Sequence, residues 1–283
     1  MLSYRHAFHA GNHADVLKHC VLLQLLEYFG RKDKPYWYID THAGAGIYSL
    51  AEGYATKNGE FETGIGRLWQ RNDLPPALQS YVDAVASINE DGKLVYYPGS
   101  PWVAWQAVRD IDRMRLFELH PSDSQLLQAN FEGSGKQVLI DKCDGFDGLK
   151  ATLPPPPRRA VVLIDPPYED KRDYARVCSS LKDALKRFAT GCYAVWYPII
   201  GRQEAHDLPR RLKILATKAG KSWLHATLTV KSSKITEDAA GEVKRPGLPA
   251  SGMFLINPPF TLKAALKEAL PQMVELLAQD KHA

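Results

Sequence analysis

The residues best suited to chemistry are Asp165, Pro166, Pro167 and Tyr168, which follow the apolar run Ala160-Val161-Val162-Leu163-Ile164 without a break. A short continuous apolar run of this kind predicts a strand buried on both faces, as in the middle of a parallel sheet. The two prolines cannot donate to a strand ladder and end it at once. Left at the tip are the Asp165 carboxylate, the Pro166 carbonyl and the Tyr168 ring. Two acceptors beside an aromatic plate suit a planar ring bearing an exocyclic amine, such as adenine or cytosine flipped out of a nucleic acid. An aniline-like nitrogen is a poor nucleophile. Acceptors on its hydrogens favour a more tetrahedral nitrogen and stabilise the positive charge that grows as it attacks. The bland alternative is an Asp helix cap followed by a rigid turn.

The elements that must position this tip lie on either side of it. Pro35–Asp40 is an aromatic strand ending in Asp40, and Thr41-His42-Ala43-Gly44-Ala45-Gly46 follows as a Gly-x-Gly loop that lets a ligand approach the backbone. Ser49 stands where a dinucleotide fingerprint would place its third glycine, which points away from NAD and towards a nucleoside cofactor without a pyrophosphate. Met114–His120 predicts a second strand, whose Glu118 is suited to ribose hydroxyls. Val138–Asp141 predicts a third, followed by Cys143-Asp144-Gly145. Acidic or Gly-rich turns thus follow four successive strands. Helices are expected from Asn12 to about Phe29, over Trp102–Arg109, Ser124–Phe131, Phe146–Leu153, Tyr174–Arg187 and Gln203–Ala219, and over Leu262–Leu277. Further strands are expected at Gly191–Tyr197, Ser222–Val230 and Gly252–Asn257. A second motif, Asn257-Pro258-Pro259-Phe260, has nearly the form of the first but no charge, and reads as a turn after a late strand.

Asp40 and Glu118 are separated by 78 residues, whereas a strand-helix-strand step needs only about 30, which leaves an insertion of roughly 50. The domain reading is accordingly 1–47 with 99–283, interrupted by a helical insertion over 48–98 with helices near Ile65–Arg71 and Ala77–Asn89. Four histidines crowd the N-terminal run (His6, His9, His13, His19), but no carboxylate or cysteine completes a metal set. A segment laid over a pocket, touching cofactor and nucleic acid, is the preferred reading. The stretch Lys231–Ser251 is basic and suits phosphates, or is a solvated loop.

Composition is that of an ordinary globular protein: 283 residues, 45% hydrophobic, 24% charged, net charge +4. The four scattered cysteines (Cys20, Cys143, Cys178, Cys192) point to a reducing compartment without zinc or a disulfide frame. No signal peptide and no membrane-spanning run is apparent.

The order of elements resembles the class I S-adenosylmethionine-dependent methyltransferases, and Asp165-Pro166-Pro167-Tyr168 resembles their amino-methyltransferase motif. The run Tyr4–His19, the Asp40–Gly46 loop and Glu118-Leu119-His120-Pro121-Ser122-Asp123 are similar to the RlmJ family of large-subunit (23S) ribosomal RNA adenine-N6 methyltransferases over nearly the whole chain. The resemblance implies an α/β Rossmann-like fold, with a mostly parallel seven-stranded sheet covered by helices on both faces. It implies S-adenosylmethionine as cofactor, no metal, 23S rRNA as partner before ribosome assembly is complete, and a monomer in the cytoplasm. Asp165 and Pro166 would be catalytic, Asp165 lying also against the cofactor, and Tyr168 would stack on the flipped adenine. Tyr4 would touch RNA. Lys18 and His19 would belong to the N-terminal cofactor motif. His42, Gly44, Gly46 and Ser100 would line the methionine half of the cofactor, Glu118 the ribose, and Asp144 with Gly145 the adenine. Rival readings are a DNA adenine methyltransferase, a protein glutamine methyltransferase (which usually has Asn at the position of Asp165) and a ribosome-assembly factor that binds RNA without catalysis.

Overall fold

A computed structural model describes residues 6–51, 59–234 and 247–283, and the backbone of 236–237 and 243–244. The chain order is α1 (His13–Gly30), β1 (Trp37–Asp40), β2 (Ile47–Ser49), α2 (Pro76–Ala86), β3 (Tyr96–Pro98), α3 (Ser100–Ala107), β4 (Arg113–Phe117), α4 (Pro121–Asn130), β5 (Val138–Asp141), α5 (Gly145–Thr152), β6 (Ala160–Ile164), α6 (Arg172–Arg187), β7 (Cys192–Ile199), α7 (Gln203–Lys218), β8 (Trp223–Thr229), β9 (Thr236–Glu237), β10 (Val243–Lys244), β11 (Ala250–Ile256) and α8 (Leu262–Leu277). Short 3-10 turns at His6–Phe8, Glu60–Thr63 and Ile65–Arg67 complete it.

Seven strands make one sheet in the order β5-β4-β1-β6-β7-β11-β8. β1, β4, β5, β6 and β7 are parallel, and β11 runs antiparallel between β7 and β8. The expected Rossmann-like α/β fold is therefore the one the chain adopts. β6 lies at the centre and is fully buried. Its side chains alternate between two cores, as the period of a strand requires. Val161 and Leu163 pack with α1, α2, α3 and α8; Ala160, Val162 and Ile164 pack with α5, α6 and α7.

The expected insertion is closed at its base by β2 and β3, which pair antiparallel from Ile47↔Pro98 to Ser49↔Tyr96. Its described residues form no separate core: Leu78, Tyr81 and Val85 of α2 are buried in the same cluster as Leu17, Cys20 and Val21 of α1. Within the basic stretch after Lys231, β9 and β10 form a two-stranded ribbon.

Strand direction separates the two proline motifs. β6 ends at the carboxyl edge of the parallel strands. β11 is antiparallel and ends beside the start of β7, with Ile256 opposite Tyr193. Asn257 therefore lies at the far edge of the sheet. It adopts a left-handed φ of 55° and donates from Nδ2 to the carbonyls of Ala189 and Gly191 (3.0 and 2.8 Å).

Candidate active site

Four strand tips meet at the carboxyl edge. Thr41 N–H donates to the Leu163 carbonyl (3.1 Å) and Ala43 N–H to the Phe117 carbonyl (2.9 Å), which fasten the loop after β1 to its neighbours β6 and β4. The start of α5 presses so closely on β1 that a Cβ on Gly145 would stand 1.7 Å from the Thr41 carbonyl oxygen. Gly44, at φ +64°, admits no side chain either, since a Cβ there would meet the Tyr48 hydroxyl at 2.2 Å.

These tips enclose a cavity of about 300 Å³. It is lined by Lys18, His19, His42, Gly44, Ser100, Glu118, Asp144, Gly145, Asp165 and Pro166, all expected from sequence, and also by His6, Thr41, Tyr48, Asp123, Glu169, Asp170, Asp173 and Arg176. Seven carboxylates face two permanent cations, so the cavity suits a positively charged ligand.

The base of the cavity is a buried ion network. Lys18 Nζ lies 2.9 Å from Asp15 Oδ1 and 2.7 Å from Asp165 Oδ2. Burial works against the Lys18 charge, but the two carboxylates outweigh it and raise its pKa. Asp15 also accepts from Gly11 N–H (2.9 Å) and lies 2.9 Å from His6 Nε2. Burial alone would raise the Asp15 carboxyl; His6, Lys18 and His19 hold it well below the usual range. Lys18, expected in the N-terminal cofactor motif, lines the cavity with its ammonium held between the two acids. Sequence spacing predicts the Asp15–Lys18 pair on one helix turn but gives no signal for Asp165, 147 residues away.

The other groups are held with equal definition. Asp40 accepts from Tyr38 Oη (2.6 Å), Ser100 Oγ (2.7 Å) and His42 N–H (3.2 Å), and burial raises its pKa. Glu118 accepts from Gly44 N–H (2.8 Å) and His120 N–H (2.7 Å), one on each oxygen, and burial raises its pKa too. Asp144 caps α5 through Phe146 N–H (2.9 Å) and lies 2.5 Å from Arg176 Nη2. The Arg176 guanidinium covers the Phe146 ring at 4.4 Å. Burial pushes His42 down to about 4 and His19 down to about 3. His19 Nδ1 is 2.8 Å from the Tyr97 hydroxyl, while its buried Nε2 makes no hydrogen bond among the described residues and lies 4.0 Å from Asp15 Oδ1.

Tyr4 lies outside the described residues, and two other expected residues stand away from the cavity. Gly46 is buried behind the cavity, where its carbonyl accepts from Gly99 N–H (2.8 Å). Tyr168 was expected to present its face to a base, but it is 2% exposed. Its ring packs 4.6 Å from Tyr174, its hydroxyl donates to the Trp196 carbonyl (2.7 Å), and its φ of 53° turns the side chain inward. In this arrangement Tyr168 anchors the turn, and stacking requires that packing to open. Nothing in the tetrapeptide reveals the positive φ.

The remaining N-terminal histidines have separate partners: His9 with Glu60 (3.0 Å) and His13 with the Leu248 carbonyl (3.1 Å). Among the described residues no group of three or more His, Cys, Asp or Glu could hold a metal, and no helix is long and apolar enough to cross a membrane. Glu169 and Asp170 before α6, and Asp173 and Arg176 in its first turns, were missed from sequence; their only signal is position after the strand that ends at Asp165.

Comparison with known proteins identifies relatives. The family model described as "Ribosomal RNA large subunit methyltransferase D, RlmJ" matches residues 33–283. "Ribosomal RNA large subunit methyltransferase J" of Escherichia coli (strain K12) is 46% identical over 271 residues, covering 96% of this chain and 92% of the relative. The protein of that name from Haemophilus influenzae Rd is 47% identical over 282 residues, covering 99% and 95%. Among solved structures, protein LPL1258 of Legionella pneumophila is 34% identical, with a TM-score of 0.84 over 95% of this chain and 94% of that one.

Proposed function

Because the chain belongs to the RlmJ family of ribosomal RNA large subunit methyltransferases, we propose that it methylates the exocyclic N6 of one adenine in 23S rRNA, held outside its stack, with S-adenosylmethionine as donor. The observation that carries this reading is Asp165: its carboxylate opens onto the same cavity as Gly44, Glu118 and Asp144.

The cavity fits the donor. It is rich in acids, and Gly44 and Gly145 line it with backbone that carries no side chain. Bound S-adenosylmethionine supplies a methyl group already activated on a cationic sulfur. Glu118 holds the ribose hydroxyls, Asp144 and Gly145 the adenine end, and His42, Gly44 and Ser100 the methionine end.

Asp165 and the Pro166 carbonyl accept the two hydrogens of the target amine and aim its lone pair. Positioning supplies most of the rate, because the leaving sulfur needs no further activation. No strong base is required, since the nitrogen becomes acidic only after it attacks, and the Asp165 carboxylate lies beside the proton then released. Lys18 fixes the direction of that carboxylate from behind.

In this reading Tyr4 and the basic residues after Lys231 meet the RNA; the described end of that stretch accepts at the Leu248 carbonyl from His13 on α1. The natural substrate in this reading is protein-poor 23S rRNA in the cytoplasm, met before assembly buries the adenine, with the enzyme acting as a monomer. Incubation with methyl-labelled S-adenosylmethionine and protein-free 23S rRNA, followed by digestion to nucleosides, tests it. Label in N6-methyladenosine supports the reading; label in another nucleoside, only in DNA or protein, or nowhere overturns it.

A further inference from the structure

The Asn257-Pro258-Pro259-Phe260 turn has no part in the reaction, yet its geometry is well defined. Asn257 pins its start by two hydrogen bonds to the far edge of the sheet. The two prolines then carry Phe260 outward, where it is 83% exposed. Its ring stands edge-on to Tyr28, with centroids 6.0 Å apart, and the Arg31 guanidinium lies 5.8 Å above the Tyr28 ring.

The chain leaving α1 next to this pair reads Arg31-Lys32-Asp33-Lys34, all exposed, three cations to one acid. None of the three cations has an ion-pair partner among the described residues. The backbone beneath them is clamped. Arg109 donates to the carbonyls of Gly30 (2.9 Å), Lys32 (2.8 Å) and Lys34 (2.9 Å). Arg159 donates to the carbonyls of Phe29 (3.0 Å) and Lys34. A rigid backbone thus presents cationic side chains to solvent beside an exposed aromatic ring.

We propose that this patch is a second contact for the RNA substrate, in which an unpaired base stacks on Phe260 beside Tyr28 and neighbouring phosphates meet Arg31, Lys32 and Lys34. The proposal rests on the reading that the substrate is RNA. Aromatic faces interleaved with cations are what single-stranded nucleic acid requires. A second copy of the chain would instead bring like charges together. The two sites lie at opposite edges of the sheet and are joined by helix α1, which carries Lys18 at the cavity and Tyr28 at the patch, ten residues or about 15 Å apart along the axis. An RNA that reaches both passes around the outside of the fold, so the patch would select RNA that extends several nucleotides beyond the target adenine.

The test measures steady-state methylation of protein-free 23S rRNA by Phe260→Ala and by the Lys32→Glu/Lys34→Glu double variant. Phe260→Ala should raise KM for the RNA at least about fivefold, the low end for one lost stacked base. Its kcat and its affinity for S-adenosylhomocysteine should not change. The double variant should flatten the log–log salt dependence of RNA binding by about two, one per phosphate contact. Phe260→Trp should retain the wild-type KM. Unchanged RNA KM and salt slope in both variants would overturn the proposal. So would a loss of concentration-dependent self-association in Phe260→Ala, seen by sedimentation, with RNA binding intact. Wild-type turnover in the same assay keeps these outcomes distinct from failure of the methyltransferase reading itself.

Discussion

Lys18 Nζ and Asp165 Oδ2 lie 2.7 Å apart, although 147 residues separate them in the chain. This contact joins the N-terminal helix to the central strand tip and makes the two a single unit. One ammonium is shared by Asp15 and Asp165, and with 6% of its side chain exposed it has little access to water. The Asp165 carboxylate is therefore oriented by a residue 147 positions earlier in the chain.

Replacing Lys18 by Met removes the ammonium that Asp15 and Asp165 share. Breaking a buried pair in this way costs about 3–5 kcal/mol, and a melting temperature lower by roughly 5–15 °C should follow. Methyl transfer should fall with it, even at temperatures where the variant is folded. Thermal melts and single-turnover assays check this; wild-type stability with wild-type rate would remove Lys18 from the network.

Glu118→Gln keeps the shape of the side chain but not its charge. If the carboxylate holds ribose hydroxyls, losing charge-assisted bonds of about 1.5–3 kcal/mol weakens S-adenosylhomocysteine binding roughly ten- to a hundredfold. Isothermal titration gives the answer directly. An unaltered Kd would place the ribose elsewhere.

Asn257→Ala separates the two look-alike motifs. It leaves two carbonyls at the far edge without their donor and puts alanine at positive φ, so stability should drop by about 1–3 kcal/mol. The rate of methyl transfer by the folded protein should stay at the wild-type value. A selective loss of turnover would mean that the second motif belongs to the reaction.

Stability should fall on mild acidification. The folded chain keeps His19 near a pKa of about 3, against 6.5 for an ordinary histidine. Between those values the unfolded chain binds a proton that the folded chain refuses, so stability rises with pH across the window. His42, pushed to about 4, acts in the same direction. Asp15 adds to this only at lower pH. Its folded pKa is depressed, so its contribution is present above the usual carboxylate value and is lost as pH falls below it. Melting temperatures measured from pH 7 to pH 4.5 should decline, and less steeply in His19→Gln. An identical slope in that variant would contradict burial as the cause.

Much of this arrangement is legible before folding, for identifiable reasons. A buried parallel strand writes a continuous apolar run, so Ala160–Ile164 and its abrupt end at Asp165 are plain in one dimension. Asp40 is readable because it is the last residue of β1, Glu118 because it follows the last residue of β4, and Asp144 because it stands in the turn three residues beyond Asp141. The extent of the helices follows from their caps; Asn12 accepts from Ala14 and Asp15 N–H as its residue type predicts. What sequence conceals is anything set by long-range approach or by backbone sign. Lys18 on Asp165 needs the fold. The inward turn of Tyr168 needs its φ. The shared core of the insertion needs α2 seen against α1, and the irrelevance of Asn257 to the cavity needs the antiparallel direction of β11.

The central claim is that Asp165 grips the amine while other residues hold the donor. Single-turnover transfer from S-adenosylmethionine to protein-free 23S rRNA by Asp165→Ala, with S-adenosylhomocysteine affinity measured on the same preparation, tests it most directly. The account predicts a rate lower by at least about a hundredfold, the scale for losing one acceptor or donor at a charge-developing centre, with cofactor affinity within a few-fold of wild type. Transfer at the wild-type rate would contradict it.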